Sequence, residues 1–220
     1  MTTVLHVVAT LGHGGTEVTC RNLVAELVRR GRTHNHLAAL DEGGGTIVDE
    51  LQAVAGALVV RLPRGRWRRV IAFGQLCRRL RPDAVVFHFF NSEHVLLTAA
   101  ARVASHPRMA AAAGNPAPAP RMRKAGAWRT LLRTSRWLDC AIVPASEAIQ
   151  DSLLRLGPLP AGSAIIHNGC DVRAIDSRAR VARRACETEG PVIGMVARLD
   201  PIKDHATLLD ATARLAARYE

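Results

Sequence analysis

Val4-Leu5-His6-Val7-Val8-Ala9, then Gly12-His13-Gly14-Gly15, then a helical pattern that stops at Gly31, is the stretch that decides the fold. An unbroken apolar run rich in branched residues suits a strand buried on both faces, not one that alternates toward water. In the helix that follows, Val18, Leu23, Leu27 and Val28 are spaced for one buried side. Strand, glycine turn and helix together make the opening of a parallel crossover unit.

The unit recurs along the chain. Leu37–Leu40, Leu58–Leu62, Ala84–Phe89, Met109–Ala113, Cys140–Val143 and Ala164–Ile166 read as strands. Ile47–Val54, Trp67–Leu80, Glu93–Ala104, Ala125–Leu138 and Ser146–Leu156 read as the helices between them. Apolar strands alternating with helices predict an α/β fold, a doubly wound parallel sheet of Rossmann-like type. Asn115-Pro116-Ala117-Pro118-Ala119-Pro120 is a loop, because alternating prolines fit neither a helix nor an inner strand. Asp171–Gly190 is a polar, Arg-rich connector, helical in part. Pro191–Val196 then begins a fresh strand and Lys203–Arg218 a fresh helix. The expected organisation is a first domain over residues 1–171, a hinge over 172–190, and the first strand and helix of a second, incomplete domain over 191–220.

Composition narrows the function. The chain has 220 residues, 48% of them hydrophobic and 22% charged, enough to bury a core. No apolar run reaches the roughly 18 residues of a membrane span. Met1-Thr2-Thr3 has no basic region before the first strand, and five scattered cysteines without a C-x-x-C pair fit a reducing compartment, so a cytoplasmic protein is expected. The net charge of +11 comes from 28 Arg and 2 Lys against 19 acids. Only eight aromatic residues are present, too few for base-stacking platforms, so nucleic acid is not the expected partner. The basic clusters Arg61–Arg81 and Arg121–Arg136 read as solvated helix faces or as surfaces for phosphates or anionic lipid. In the second cluster, Trp128, Leu131, Leu132 and Leu138 share one helical side and Arg129, Arg133 and Arg136 another. That pattern suits either a basic helix resting on lipid or a helix whose apolar side packs on the sheet.

Three segments at strand ends carry chemistry, since ligands in open parallel sheets bind beyond the carboxyl ends of the strands. Gly12–Glu17 lets backbone approach a ligand and offers the free N–H groups of a helix start to an anion, although a tight turn without a ligand explains it as well. It matches neither the dinucleotide fingerprint nor the Walker loop. His167-Asn168-Gly169-Cys170-Asp171 contains a common turn pair. In Ala197–His205, Arg198 and Lys203 bracket a strand-to-helix turn, where two cations suit a diphosphate and a surface salt-bridge cluster with Asp200 and Asp204 is the plainer alternative. His34 and His36 share a face of a strand but have no acidic third ligand nearby, and no metal site is expected.

Taken together, the segments resemble the first half and hinge of the group 1 (retaining, GT-B fold) nucleotide-sugar glycosyltransferases. Gly14-Gly15-Thr16-Glu17 is similar to that family's Gly-Gly-x-Glu loop, and Asp139–Ile149 to its Asp-x-x-[Val/Ile]-x-x-Ser-Glu segment. His167–Asp171 is similar to its Asn-Gly-Val-Asp hinge, with Cys170 in place of Val. Val192–Leu209 is similar to its Gly-Arg-Leu-x-x-x-Lys-Gly segment, with Ala197 and Asp204 replacing the two glycines. The resemblance implies a hexosyltransferase that passes sugar from a nucleotide-diphosphate sugar to a glycan or lipid-linked acceptor in polysaccharide biosynthesis. Retention of configuration, and no metal or other cofactor, are also implied.

It also implies roles for individual positions. Arg198 and Lys203 stabilise the leaving diphosphate, and Gly14, Gly15 and Thr16 approach the donor. Glu17, His88 and Asn115 are the acceptor- or sugar-side candidates, Asn115 standing where many members have a histidine. The family's Glu-x7-Glu donor motif is expected beyond Glu220, so this chain alone is expected to be inactive. A second reading is a non-catalytic truncated module that binds an anionic acceptor or membrane surface. A third, an NAD-dependent oxidoreductase, is disfavoured by the imperfect glycine motif.

Overall fold

The computed structural model describes residues 1–10, 14–40, 50, 59–183, 192–197, 199 and 203–219. The chain forms two compact units, Met1–Cys170 and Asp171–Glu220. In the first, β1 (Thr2–Val8), β2 (Thr33–Ala39), β3 (Val59–Arg61), β4 (Ala84–Phe87), β5 (Arg108–Ala113) and β6 (Cys140–Pro144) make one parallel sheet in the order β3-β2-β1-β4-β5-β6. Helices α1 (Gly15–Arg30), α2 (Arg66–Leu80), α3 (Ser92–Ala104), α4 (Ala125–Trp137) and α5 (Glu147–Leu154) connect or follow these strands. The doubly wound fold is the one the apolar runs predict.

Two clusters on the sheet form most of the core. Leu5, Val7, Ala38, Val85, Phe87, Met109 and Ala111 pack against Phe73, Leu76 and Cys77 of α2 and Leu97 and Ala101 of α3. Val8, Leu37 and Ala39 pack against Cys20 and Val24 of α1. A third cluster joins Ala113 and Ile142 to Leu132 of α4 and Leu153 of α5. Trp128 of α4 lies against Phe90 with ring centroids 5.4 Å apart, and Leu132 and Leu138 are buried. The apolar side of α4 therefore packs inward, while Arg129, Arg133, Arg136 and Trp137 stay exposed.

Local differences from the sequence reading have physical causes. α1 buries Glu17, Cys20 and Val24 and leaves Val18, Leu23 and Val28 exposed. A helix buries one stripe, and here the stripe is fixed by a carboxylate with its own partner, Thr10, which an apolar count scores as solvent-facing. Ala164–Ile166 is not a strand. It runs beside β6, with Ile166 N–H donating to the Pro144 carbonyl, and Ala164 and Ile166 are exposed. The expected helix Ile47–Val54 lies outside the described residues apart from Glu50, whose carboxylate pairs with Arg21 at 2.6 Å.

The second unit contains α6 (Val172–Arg183) and α7 (His205–Tyr219). Residues 192–197, expected as a strand, form none. A strand needs a paired neighbour for its backbone groups, and among the described residues this segment has none. Asp204 caps α7, accepting from the Thr207 hydroxyl at 2.8 Å and the Thr207 N–H at 3.4 Å. The aspartate standing at a family glycine position thus has a local role, with its backbone in the left-handed region at φ 53°.

Candidate active site at the carboxyl edge of the sheet

Strand order reverses direction between β1 and β4, so the crevice beyond their carboxyl ends is the natural ligand position of this sheet. The Gly14 loop follows β1, His88 follows β4 and Asn115 follows β5. Six of the eight site residues read from sequence (Gly14, Gly15, Thr16, Glu17, His88 and Asn115) thereby lie along one edge of three adjacent strands. Lys203 belongs to the second unit, where it is exposed just before α7. Arg198 lies outside the described residues.

The two glycines differ in function. Gly14 is the N-cap of α1 in an extended conformation, φ −122° and ψ 164°, which any residue can adopt. A Cβ added there would lie 2.3 Å from Glu17 Oε2, so Gly14 is small because the Glu17 carboxylate folds back over it. Thr10 Oγ1 donates to Glu17 Oε1 at 2.5 Å and holds the carboxylate in place. Among the described residues a Cβ on Gly15 would meet nothing within 4 Å, and Gly15 and Thr16 are exposed. No side chain among the described residues caps α1, whereas Asn91 caps α3 and Ser146 caps α5. The start of α1 thus combines uncapped N–H groups, open space over Gly15 and a positive helix end, an arrangement suited to an anionic ligand.

Gly14→Ala is expected to displace Glu17 and lower stability by about 1–2 kcal/mol, the scale of one lost hydrogen bond with a buried partner left behind. Gly15→Ala is expected to stay within about 0.5 kcal/mol, because space is open there. Chemical denaturation of both variants, and of Gly14→Ala in a Glu17→Ala background, is the check. Equal losses at the two glycines, or full additivity with Glu17→Ala, would refute the packing account.

His88 is buried, and its Nε2 lies 3.1 Å from Nδ1 of His6 on β1. His6 Nε2 lies 3.2 Å from Oδ1 of Asn35 on β2, whose Nδ2 donates to Thr33 Oγ1 at 3.1 Å. Burial, reinforced by His6, pushes the His88 pKa down to about 3, and burial pushes His6 down to about 4 against a smaller upward pull from Asn35. Both rings are neutral at physiological pH. Asn115, by contrast, is exposed. Asn35 and Thr10 went unnoticed in the sequence because their partners lie 29 and seven residues away. The signal the sequence carries is the polar triplet His34-Asn35-His36 leading into the apolar run Leu37–Leu40.

A parallel sheet in this order, with a glycine-started helix at the switch point, is a Rossmann-like doubly wound domain. HepE from Anabaena, in complex with UDP and glucose, matches with a TM-score of 0.74 at 15% identity, over 97% of this chain and 58% of HepE. A glycosyltransferase from Rickettsia africae matches with a TM-score of 0.64 at 16% identity, over 97% of this chain and 57% of that one. A UDP-GlcNAc 2-epimerase from Neisseria meningitidis, bound to UDP-GlcNAc, matches at 0.55 and 12% identity, over 84% of this chain and 54% of the epimerase. At these identities the likeness is one of fold, and the chain spans less than two thirds of each of these proteins. The family model for glycosyltransferase family 4 matches residues 13–174, and the chain belongs to that family. No curated protein matches it in sequence.

Proposed function

We propose that this chain supplies the acceptor-side domain and hinge of a retaining glycosyltransferase, together with the opening of its nucleotide-sugar-binding domain. The division is residues 1–171, 172–190 and 191–220, and the enzyme transfers a hexose from a nucleotide-diphosphate sugar to a glycan or lipid-linked acceptor. The family match over residues 13–174 carries the reading. The uncapped start of α1 beneath an open Gly15, and the UDP and UDP-glucose complexes of HepE, support a nucleotide sugar as donor.

In the proposed reaction the bond from the anomeric carbon to the diphosphate breaks and a bond to the acceptor oxygen forms on the same face of the sugar. The nucleoside diphosphate leaves with added negative charge, and Arg198 and Lys203 stabilise it, so the step needs no metal or other cofactor. Backbone N–H groups at Gly15 and Thr16 face the donor, with Gly14 shaping the turn. Asn115 is the exposed contact on the acceptor or sugar side, and buried Glu17 and His88 hold the crevice floor. Exposed Arg66, Arg68, Arg78 and Arg79 of α2, with Arg129, Arg133 and Arg136 of α4, favour an anionic acceptor or a peripheral position on the inner face of the cell membrane. No described helix is long and apolar enough to cross a membrane.

The test is transfer by a protein that carries this chain together with a donor domain, followed by NMR of the product. The expected result is product of the donor's anomeric configuration, at a rate a chelator leaves nearly unchanged, and no turnover by residues 1–220 alone. Inverted product would overturn retention, and a complete loss restored by added metal would overturn the metal-free step. Binding of an anionic acceptor or vesicle without turnover of any nucleotide sugar would favour the non-catalytic module instead.

A further inference from the structure

Three donor atoms converge from separate elements: a histidine nitrogen of β1 (His6), a histidine nitrogen following β4 (His88) and the sulfur of Cys20 on α1. All lie within 4.8 Å of one another, and the three residues are 0%, 6% and 0% exposed respectively. We propose that His6 Nδ1, Cys20 Sγ and His88 Nε2 form a buried site for a borderline-soft divalent ion of the zinc class, a structural site that takes no part in the sugar-transfer step.

The chemistry of the donors selects the ion. Two imidazoles and one thiolate suit zinc, whereas calcium and magnesium require oxygen. In a tetrahedral zinc site with bonds of about 2.0–2.3 Å, neighbouring ligand atoms stand about 3.3–3.6 Å apart. The His6–His88 separation of 3.1 Å is within a few tenths of an ångström of that spacing. One proton shared between two imidazoles accounts for this pair; Cys20 Sγ, within 4.8 Å of both nitrogens, is the third donor and draws closer on loading.

The surroundings are built as metal sites are. With Nε2–H donating to Asn35 Oδ1, His6 directs the lone pair of Nδ1 inward, the orientation that an outer hydrogen bond gives a ligating histidine. Val8, Val24, Leu37 and Ala39 supply a dry apolar wall around Cys20. Loading moves the His88 proton from Nε2 to Nδ1 and releases the Cys20 thiol proton to solvent. A divalent ion with one thiolate leaves one positive charge, and buried Glu17, one turn before Cys20 on α1, balances it.

The experiment refolds the 220-residue chain with Co2+ as a spectroscopic probe and then adds Zn2+. The expected result is one ion per chain, a thiolate-to-cobalt charge-transfer band, and displacement of the cobalt by Zn2+. Cys20→Ala should abolish the charge-transfer band, while Cys170→Ser, at an exposed cysteine, should keep it. X-ray absorption at the zinc edge of the wild-type chain, which requires no variant to fold, should show two nitrogens and one sulfur. No charge-transfer band in the wild type, its survival in Cys20→Ala, its loss in Cys170→Ser, or a sulfur-free zinc spectrum would each overturn the site.

Discussion

Replacing Arg198 or Lys203 by alanine, in a protein that joins this chain to a donor domain, is expected to lower kcat by ~100- to 1000-fold while donor KM changes much less. The asymmetry follows from when the interaction forms. A cation that meets charge developing on a leaving diphosphate strengthens along the reaction coordinate, and only such a difference lowers the barrier. Both residues act on one group, so the double variant should lose less than the product of the single losses. Lys203 is exposed immediately before α7, whose first turn Asp204 already caps, so the lysine is not needed to cap that helix. Lys203→Ala should accordingly leave the melting temperature nearly unchanged. Asp200→Ala serves as the control that separates transfer from a local ion-pair network. Near-normal kcat in both cation variants, with altered melting alone, would make the pair structural.

Acidification is expected to unfold the metal-free first unit near pH 5. Burial holds His6 at about 4 and His88 at about 3. It also holds His94 at about 4, where the ring donates to the Asn91 carbonyl at 2.5 Å and lies 3.2 Å from the Ser135 hydroxyl. Each folded-state value lies below the ordinary 6.5, so the unfolded chain binds the extra protons. Stability is complete above about pH 6.5 and falls as pH drops toward 4, levelling only where the folded state also takes up protons. At pH 5 each neutral imidazole costs about 2 kcal/mol, and three cost about 6 kcal/mol, comparable to the whole stability of many domains. Urea unfolding across pH 7 to 4.5 in metal-free buffer is the measurement. His94→Gln should flatten the slope by about 1.4 kcal/mol per pH unit. Stability that stays level between pH 7 and 5 would show that the three rings are not buried neutral.

What the sequence disclosed divides along the range of the interactions. Runs such as Ala84–Phe87 and Cys140–Pro144 announce buried parallel strands because both of their faces must be apolar, a property written in consecutive residues. The Gly14 loop was visible for a similar reason, since adjacent glycines mark a turn wherever they occur. That Gly14 makes room for Glu17 was not visible, because burying a carboxylate depends on Thr10 and on the angle at which α1 meets the sheet. The direction of the apolar side of α4 was undecidable until Phe90 and Ile142 supplied its partners. Asn35, His6 and His88 meet only through the register of three strands, which local pattern does not encode.

The pairing of β1 with β4 also bears on how the chain is made. His6 and His88 are 82 residues apart, and the switch-point crevice exists only once that long loop has closed. Loop closure is paid in chain entropy before the contact returns anything, which places this domain among slow-folding, non-local topologies. On the ribosome, β1 and β2 emerge first and can pair with each other. Val7 must wait until residues through His88 are synthesised before its carbonyl finds the His88 N–H. Until then the inner edge of β1 is open to other strands, so this is the interval in which a nascent chain would benefit most from a chaperone.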